Sequence, residues 1–125
     1  MVSPTPAARS VVLVVEDEPF VLLDAAEMIE AAGYDVLRAS SADQAIEILN
    51  GRDDIRVVFT DIEMPGSMDG LRLAHVIREK WPPVELIVTS GKHKLSASQL
   101  PARGAFIGKP YTAKQISDAL RAFIS

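Results

Sequence analysis

Residues 57–70, VVFTDIEMPGSMDG, join a short apolar run to an acidic loop that contains proline and glycine. The run at 57–60 is too short for a helix and lacks polar alternation, which is typical of a strand buried on both faces. Asp61 follows the run directly, and Glu63 lies two residues further on. Asp69 can then cap a helix that has apolar residues at helical spacing. This stretch therefore places carboxylates at the C-terminal end of a buried strand.

The same order, a short apolar run followed by an amphipathic stretch, repeats along the chain. Strands are predicted at residues 11–15, 34–39, 57–60, 86–89 and 105–108. Helices are predicted after the start signals Pro19, Ser41-x-x-Gln44, Asp69 and Thr112-x-x-Gln115. Strands that alternate with helices in this way indicate a doubly wound α/β fold with a five-stranded parallel sheet.

The segment between the fourth and fifth predicted strands, residues 91–103, has no clear helical pattern. It contains Pro101 and few periodic apolar residues, and Gly104 follows it. We expect only one or two helical turns around residues 96–100, so that the fourth helix of the fold is short, displaced or partly unwound. A regular three-turn helix between Lys92 and Pro101 would contradict this expectation.

The composition is that of one globular domain. The chain has 125 residues, 48% of them apolar and 24% charged, with a net charge of −4. Cysteine is absent, which excludes disulfides and cysteine-based zinc sites. No apolar run approaches the ~18 residues of a membrane helix, and the acidic balance argues against direct DNA binding. We expect a flexible tail at residues 1–9, a folded domain at 10–125 and a cytoplasmic location.

Chemically active residues stand at the ends of four predicted strands. They are Glu16 and Asp17 after the first strand, Asp61 and Glu63 after the third, Thr89 and Ser90 at the end of the fourth, and Lys109 and Pro110 after the fifth. In a doubly wound sheet these ends meet at one edge, where ligands bind.

The chemistry of that edge follows from its charges. Carboxylates a few ångströms apart repel by ~3–4 kcal/mol at an effective dielectric of roughly 20, so a cluster of them needs a compensating cation. Oxygen ligands without histidine or cysteine favour Mg²⁺ or Mn²⁺ over zinc. Because a lysine and a hydroxyl lie nearby, the pattern indicates phosphoryl chemistry.

Four segments give the chain a specific resemblance. VVLVVEDEP at 11–19, VVFTDIEMPGSMDG at 57–70, LIVTSG at 86–91 and GAFIGKPY at 104–111 occur in the order and approximate spacing of response-regulator receiver domains. The chain resembles that family over nearly everything after the tail. The resemblance implies a flavodoxin-like (βα)5 fold with strand order 2-1-3-4-5. It also implies a bacterial two-component or phosphorelay system, in which a histidine kinase or histidine phosphotransfer protein supplies the phosphate.

The resemblance further implies a role for each acidic residue. Asp61 would be the phosphoacceptor. Mg²⁺, or Mn²⁺ as a substitute, would be held by Glu16, Asp17, Asp61 and the backbone carbonyl of Glu63. Asp17 would bind the metal directly, and Glu16 would bind it through water.

The remaining family positions concern the phosphoryl group and the switch. Thr89, Ser90 and Lys109 would bind the phosphoryl group, and Thr89 and Lys109 would gain partners only in the phosphorylated state. Phe106 would be the aromatic switch residue, although core packing explains an aromatic residue there equally well. Pro110 would follow a cis peptide bond. The readout face would comprise the fourth helix, fifth strand and fifth helix.

The first interpretation is a stand-alone receiver that is a signalling module and not a metabolic enzyme. Two other functions remain open. A metal-dependent phosphohydrolase would use Asp61 as its nucleophile, but dehalogenase-like phosphatases carry Asp-x-Asp on the first strand and usually a cap. A degenerate receiver would bind partners constitutively, which the intact set of site residues argues against. The downstream partner is not indicated by the sequence, and phosphorylation-dependent homodimerisation is compatible with it.

Overall fold

The protein forms one parallel sheet with helices on both faces, and the computed structural model describes residues 9–92 and 95–124. The strands are β1 (Val11–Val15), β2 (Asp35–Ala39), β3 (Ile55–Asp61), β4 (Glu85–Ser90) and β5 (Ala105–Gly108). The helices are α1 (Pro19–Ala31), α2 (Ala42–Gly51), α3 (Gly70–Lys80) and α4 (Ala113–Phe123). The sheet order β2-β1-β3-β4-β5 confirms the predicted topology. All of the expected tail except Arg9 lies outside the described residues.

Two apolar clusters cover the two faces of the sheet. β1 is buried along its whole length, and alternate residues of this strand belong to different clusters. Leu13 and Val15 pack with residues of α2 and α3, whereas Val12 and Val14 pack with residues of α1 and α4. A strand covered on both sides needs a continuous apolar run, which is why the sequence predicts β1 correctly.

Polar residues at the helix starts set where α2 and α4 begin. Thr112 and Gln115 form the predicted capping box of α4. Ser41 caps α2 by accepting a hydrogen bond from Gln44 N at 3.1 Å. The second half of the expected box is absent there, because Gln44 Oε1 accepts from Ser40 N at 2.7 Å instead. None of the helices in the described residues is long and apolar enough to cross a membrane.

The connection from β4 to β5 consists of turns in its described residues, 91–92 and 95–104. The described chain therefore has four helices rather than the five of a complete (βα)5 pattern, and the expected readout face lacks its helix there. Side chains of α3 hold this connection against the domain. His75 Nε2 lies 2.9 Å from Gln99 O, and Arg78 Nε donates to Ala102 O at 2.7 Å.

Replacing Arg78 by alanine should lower the free energy of unfolding by about 2–4 kcal/mol. Its Nη1 also donates to Pro82 O at 2.7 Å and to Val84 O at 2.8 Å, so the change removes one donor from each of three carbonyl oxygens. Pro82 O keeps a second donor, Arg103 Nη2. Urea unfolding measures the effect. The matched control is the alanine variant of Arg72, which is exposed on the same helix. Equal unfolding free energies for the two variants would contradict the prediction.

Candidate functional site

Three carboxylates meet where β1 and β3 end side by side. Glu16 and Asp17 follow β1, and Asp61 is the last residue of the neighbouring β3. One carboxylate oxygen of each residue lies within 4.8 Å of the other two. Glu16 and Asp61 are buried, whereas Asp17 is exposed. The fold thus brings together the acidic residues that the sequence marks, with two of them away from solvent.

Lys109 supplies a positive charge to this acidic cluster. Its Nζ lies 2.9 Å from Glu16 Oε1 and 3.1 Å from Asp61 Oδ1. Burial lowers the pKa of Lys109, but the hydrogen bond with Glu16 and the negative charges of Glu16 and Asp61 outweigh burial and raise the pKa above its ordinary value. The expectation that Lys109 has partners only in the phosphorylated state is therefore wrong. The peptide bond from Lys109 to Pro110 is cis, as the resemblance to receiver domains implies.

Asp61 holds its proton more tightly than an ordinary aspartic acid. Burial and the charge of Glu16 raise the pKa of its carboxyl from 3.8 to about 7, against the opposing effect of Lys109. Its buried Oδ1 lies near Lys109 without meeting hydrogen-bond geometry, and no other described atom bonds to it. Since buried polar atoms normally have partners, this oxygen indicates that the site is completed by another group.

The donor set fits a hard divalent cation such as Mg²⁺. All the side-chain donors are carboxylate oxygens, and three carboxylates exceed the single charge of Lys109. The buried Asp61 Oδ1 is available as a ligand, and the exposed Asp17 leaves one side open to solvent. Mg²⁺ prefers this combination, because it binds one or two carboxylates and keeps several waters.

We expect Mg²⁺ to bind more tightly as the pH rises from about 5.5 to about 8. Below about pH 7 a proton on Asp61 competes with the cation, so the dissociation constant should rise by up to about tenfold for each unit of decreasing pH. Isothermal titration calorimetry measures this dependence, and Asp61→Asn, which has no such proton, is the control. A dissociation constant that stays unchanged over this range would contradict the prediction.

The ends of β4 and β5 place the other predicted residues around Asp61. Thr89 is buried and is the register partner of Asp61. Ser90 ends β4, and its carbonyl accepts from Lys109 N at 2.9 Å. Phe106 is half-buried beside a cavity of about 470 Å³ that Ser90 and Lys109 also line. Phe106 belongs to neither apolar cluster of the described residues, which argues against a simple core-packing role.

The side chain of Glu63 makes contacts that the sequence did not predict. Its Oε1 accepts hydrogen bonds from Ser90 Oγ and, at 3.1 Å, from Lys92 N. Burial opposes its ionisation, but these hydrogen bonds and the interaction with the Asp61 carboxyl lower its pKa to about 2. The register between β3 and β4 is the feature that could have indicated these contacts. Because Asp61 pairs with Thr89, the residues that follow them leave the sheet side by side.

The start of α3 packs directly on the backbone of Asp61. Asp69 caps this helix by accepting from Arg72 N at 2.9 Å, and Gly70 N donates to Ile62 O at 3.0 Å. A Cβ atom on Gly70 would lie 1.7 Å from Asp61 O. Only glycine permits so close an approach. The Asp69-Gly70 pair signals a helix start in the sequence, but it does not reveal this contact.

Known proteins of the two-component signalling systems have sequences similar to this chain. The sequence profile of the response regulator receiver domain matches residues 12–121. The sensor kinase CckA of Brucella abortus is 31% identical over 119 residues, which are 92% of this chain and 12% of that protein. The nitrogen assimilation regulatory protein NtrX of Azorhizobium caulinodans is 34% identical over 109 residues, which are 84% of this chain and 24% of that protein.

Solved structures with the same fold agree with the sequence relatives. A response regulator receiver protein from Sinorhizobium medicae has a TM-score of 0.86 and 31% identity, covering 96% of this chain and 97% of that one. The chain thus spans a small part of its curated relatives, 12% of CckA and 24% of NtrX, but nearly all of this structure. The profile match, the sheet order and the acidic cluster agree, and the chain belongs to the response regulator receiver domain family.

Proposed function

We propose that a histidine kinase or a histidine phosphotransfer protein transfers a phosphoryl group to Asp61, and that the phosphorylated domain signals through altered protein contacts. The observation that supports this is the setting of Asp61, a buried carboxyl 3.1 Å from Lys109 Nζ and grouped with Glu16 and Asp17. Receiver domains are signalling modules rather than classical enzymes. In this proposal the residues around Asp61 promote its phosphorylation and dephosphorylation.

In the proposed transfer, an Asp61 carboxylate oxygen attacks phosphorus and forms a P–O bond while the P–N bond to the donor histidine breaks. The electron pair of that bond stays on the imidazole nitrogen, which takes up a proton from solvent. Lys109 is placed to contact the phosphoryl oxygens, because its Nζ already lies 3.1 Å from Asp61 Oδ1. Thr89, the register partner of Asp61, would donate its hydroxyl hydrogen to the same group.

Receiver domains bind Mg²⁺ at their acidic site. In this chain the ligands would come from Asp17, Asp61, the carbonyl of Glu63 and, through water, Glu16. Bound Mg²⁺ would neutralise charge on the phosphoryl oxygens during transfer. Mn²⁺ would serve as a substitute, because it prefers similar oxygen ligands.

An apolar surface on α1 borders the acceptor edge and suits a donor protein. Phe20 is 79% exposed and Leu23 40% exposed, which makes them conspicuous among the large apolar side chains of the described residues. A groove of about 350 Å³ lies between α1 and the segment after β5, where Lys109, Pro110 and Tyr111 line it. A phosphohistidine must reach Asp61, so a donor that covers this surface would bring the two reacting groups together.

Two-dimensional NMR with beryllofluoride and Mg²⁺, which together mimic a phosphoryl group on aspartate, tests the proposal. We expect chemical-shift changes at Asp61, Thr89 and Lys109 in the wild-type protein. Asp61→Ala should abolish these changes, whereas Asp53→Ala, which removes an exposed acid elsewhere, should leave them intact. No response of the wild type at millimolar Mg²⁺ would contradict the proposal and indicate a constitutive binding module.

A further inference from the structure

One carboxylate oxygen joins the loop after β3 to the turn that ends β4. Glu63 Oε1 accepts hydrogen bonds from Ser90 Oγ and, at 3.1 Å, from Lys92 N. Lys92 N also lies 3.1 Å from Ser90 Oγ, so the three groups form a closed ring of hydrogen bonds. Through this ring Glu63 fixes the conformation of residues 90–92.

The 90–92 turn is linked both to the acceptor site and to the surface around Phe106. It directly follows Thr89, the register partner of Asp61, and Ser90 O accepts from Lys109 N at 2.9 Å. The residues of the turn also line the cavity beside Phe106. A change in this turn would therefore connect the acceptor to an exposed part of the β4–β5 region.

Glu63 lies close to the acceptor. It follows Asp61 by two residues, and its Oε1 accepts a hydrogen bond from Ser90 Oγ, next to the register partner of Asp61. A phosphoryl group on Asp61 would add roughly −1.5 to −2 units of charge near the Glu63 carboxylate. Because like charges repel, this charge would push the carboxylate away from its partners in the turn.

We propose that Glu63 is a positioning residue whose carboxylate holds residues 90–92 in the resting conformation and releases them when Asp61 is phosphorylated. This inference rests on the proposed function, since the charge on Asp61 is the trigger. The charge of Glu63 and its capacity to accept hydrogen bonds then have separate roles, in which the hydrogen bonds hold the turn and the charge releases it. Glutamine at this position keeps an oxygen acceptor for Ser90 and Lys92 but has no charge to be repelled.

Amide hydrogen exchange at Lys92, followed by NMR with and without beryllofluoride and Mg²⁺, tests the inference. In the wild type, we expect slow exchange without beryllofluoride and exchange faster by at least about tenfold with it. Glu63→Ala should exchange rapidly in both states, and Glu63→Gln should exchange slowly in both. Glu47→Gln, a change of the same kind at an exposed residue of α2, should behave as the wild type does.

The possible outcomes separate this inference from the proposed function. Slow exchange in Glu63→Ala would overturn it, as would a Glu63→Gln protein that responds to beryllofluoride as strongly as the wild type. If Asp61 shows the expected chemical-shift changes but the exchange of Lys92 does not change, the proposed release of the turn is overturned and the proposed function stands. No change at Asp61 in the wild type would overturn the proposed function and, with it, the trigger.

Discussion

Asp61→Asn should raise the free energy of unfolding of the metal-free protein by about 1–3 kcal/mol at about pH 8. The pKa of Asp61 is about 7 in the folded protein, against an ordinary value of 3.8. At pH 8 the folded protein must therefore keep a buried carboxylate ionised beside Glu16. Asparagine removes that charge, and the gain is less than the full pKa shift implies because the ion pair with Lys109 is lost as well.

The pH dependence has a definite sign. A pKa raised on folding favours the folded state fully below about pH 4, and this contribution is lost as the pH rises through about 7. The advantage of Asp61→Asn should therefore grow between those two values. Urea unfolding in the presence of a chelator measures it, with Asp53→Asn as an exposed control that changes stability by less than about 0.5 kcal/mol. An Asp61→Asn protein less stable than the wild type at pH 8 would contradict the prediction.

Addition of Mg²⁺ should reverse the order of stability. A cation bound to the ionised cluster stabilises the wild type by mass action, whereas the asparagine variant lacks one of the carboxylates. The same acidic repulsion that destabilises the metal-free fold therefore provides the affinity for the cation. This compensation explains why a buried carboxyl without a hydrogen-bonded Oδ1 is tolerated in the site.

The strands could be predicted because burial on both faces leaves a continuous apolar run in the sequence. β1 and β5 match residues 11–15 and 105–108, whereas β3 begins two residues earlier than predicted, at Ile55. The cause is Arg56, which interrupts the apolar run. The register with β1 shifts at this point, so Arg56 is an extra residue of β3 and its side chain is exposed. A β-bulge of this kind has no apolar pattern to reveal it.

The site could be predicted in its composition but not in its contacts. Parallel strands end at one edge, so the positions of Asp61 and Lys109 follow from the strand pattern alone. The ion pair of Lys109 with Glu16 and the hydrogen bond of Ser90 with Glu63 depend on side-chain conformations. These conformations are determined by packing between distant segments, and no local sequence signal records them.

The contacts that hold the β4–β5 connection also depend on the side chain of a distant segment. Residues 91–103 carry little helical pattern, and the expected irregularity is confirmed in the described part of the segment. The one or two helical turns expected around residues 96–100 are absent there, where the chain forms non-helical turns. Arg78 of α3 holds this segment in place. Its position in the sequence does not distinguish it from an ordinary surface arginine on a helix. Only the folded structure shows that the guanidinium reaches the carbonyl oxygens of Ala102 and two other residues.

Gly70→Ala should be the most damaging single-methyl change in the described part of the chain. The added Cβ would lie 1.7 Å from Asp61 O, 2.6 Å from Asp61 C and 2.9 Å from Thr60 Oγ1. Two of these atoms belong to the backbone, so no side-chain rotation relieves the overlap. Either α3 must move away from β3 or the acceptor must leave its place. We expect a loss of at least about 3 kcal/mol of unfolding free energy.

Gly51→Ala is the matched control for this prediction, because a Cβ at Gly51 meets nothing within 4 Å and the residue ends α2. It should change the unfolding free energy by less than about 0.5 kcal/mol. Urea unfolding compares the two variants, and beryllofluoride titration by NMR reports on the acceptor in whatever Gly70→Ala protein folds. A folded Gly70→Ala protein should respond weakly or not at all, because its strain falls on Asp61 itself. Wild-type stability together with a wild-type beryllofluoride response would show that α3 does not press on the acceptor as the structure indicates.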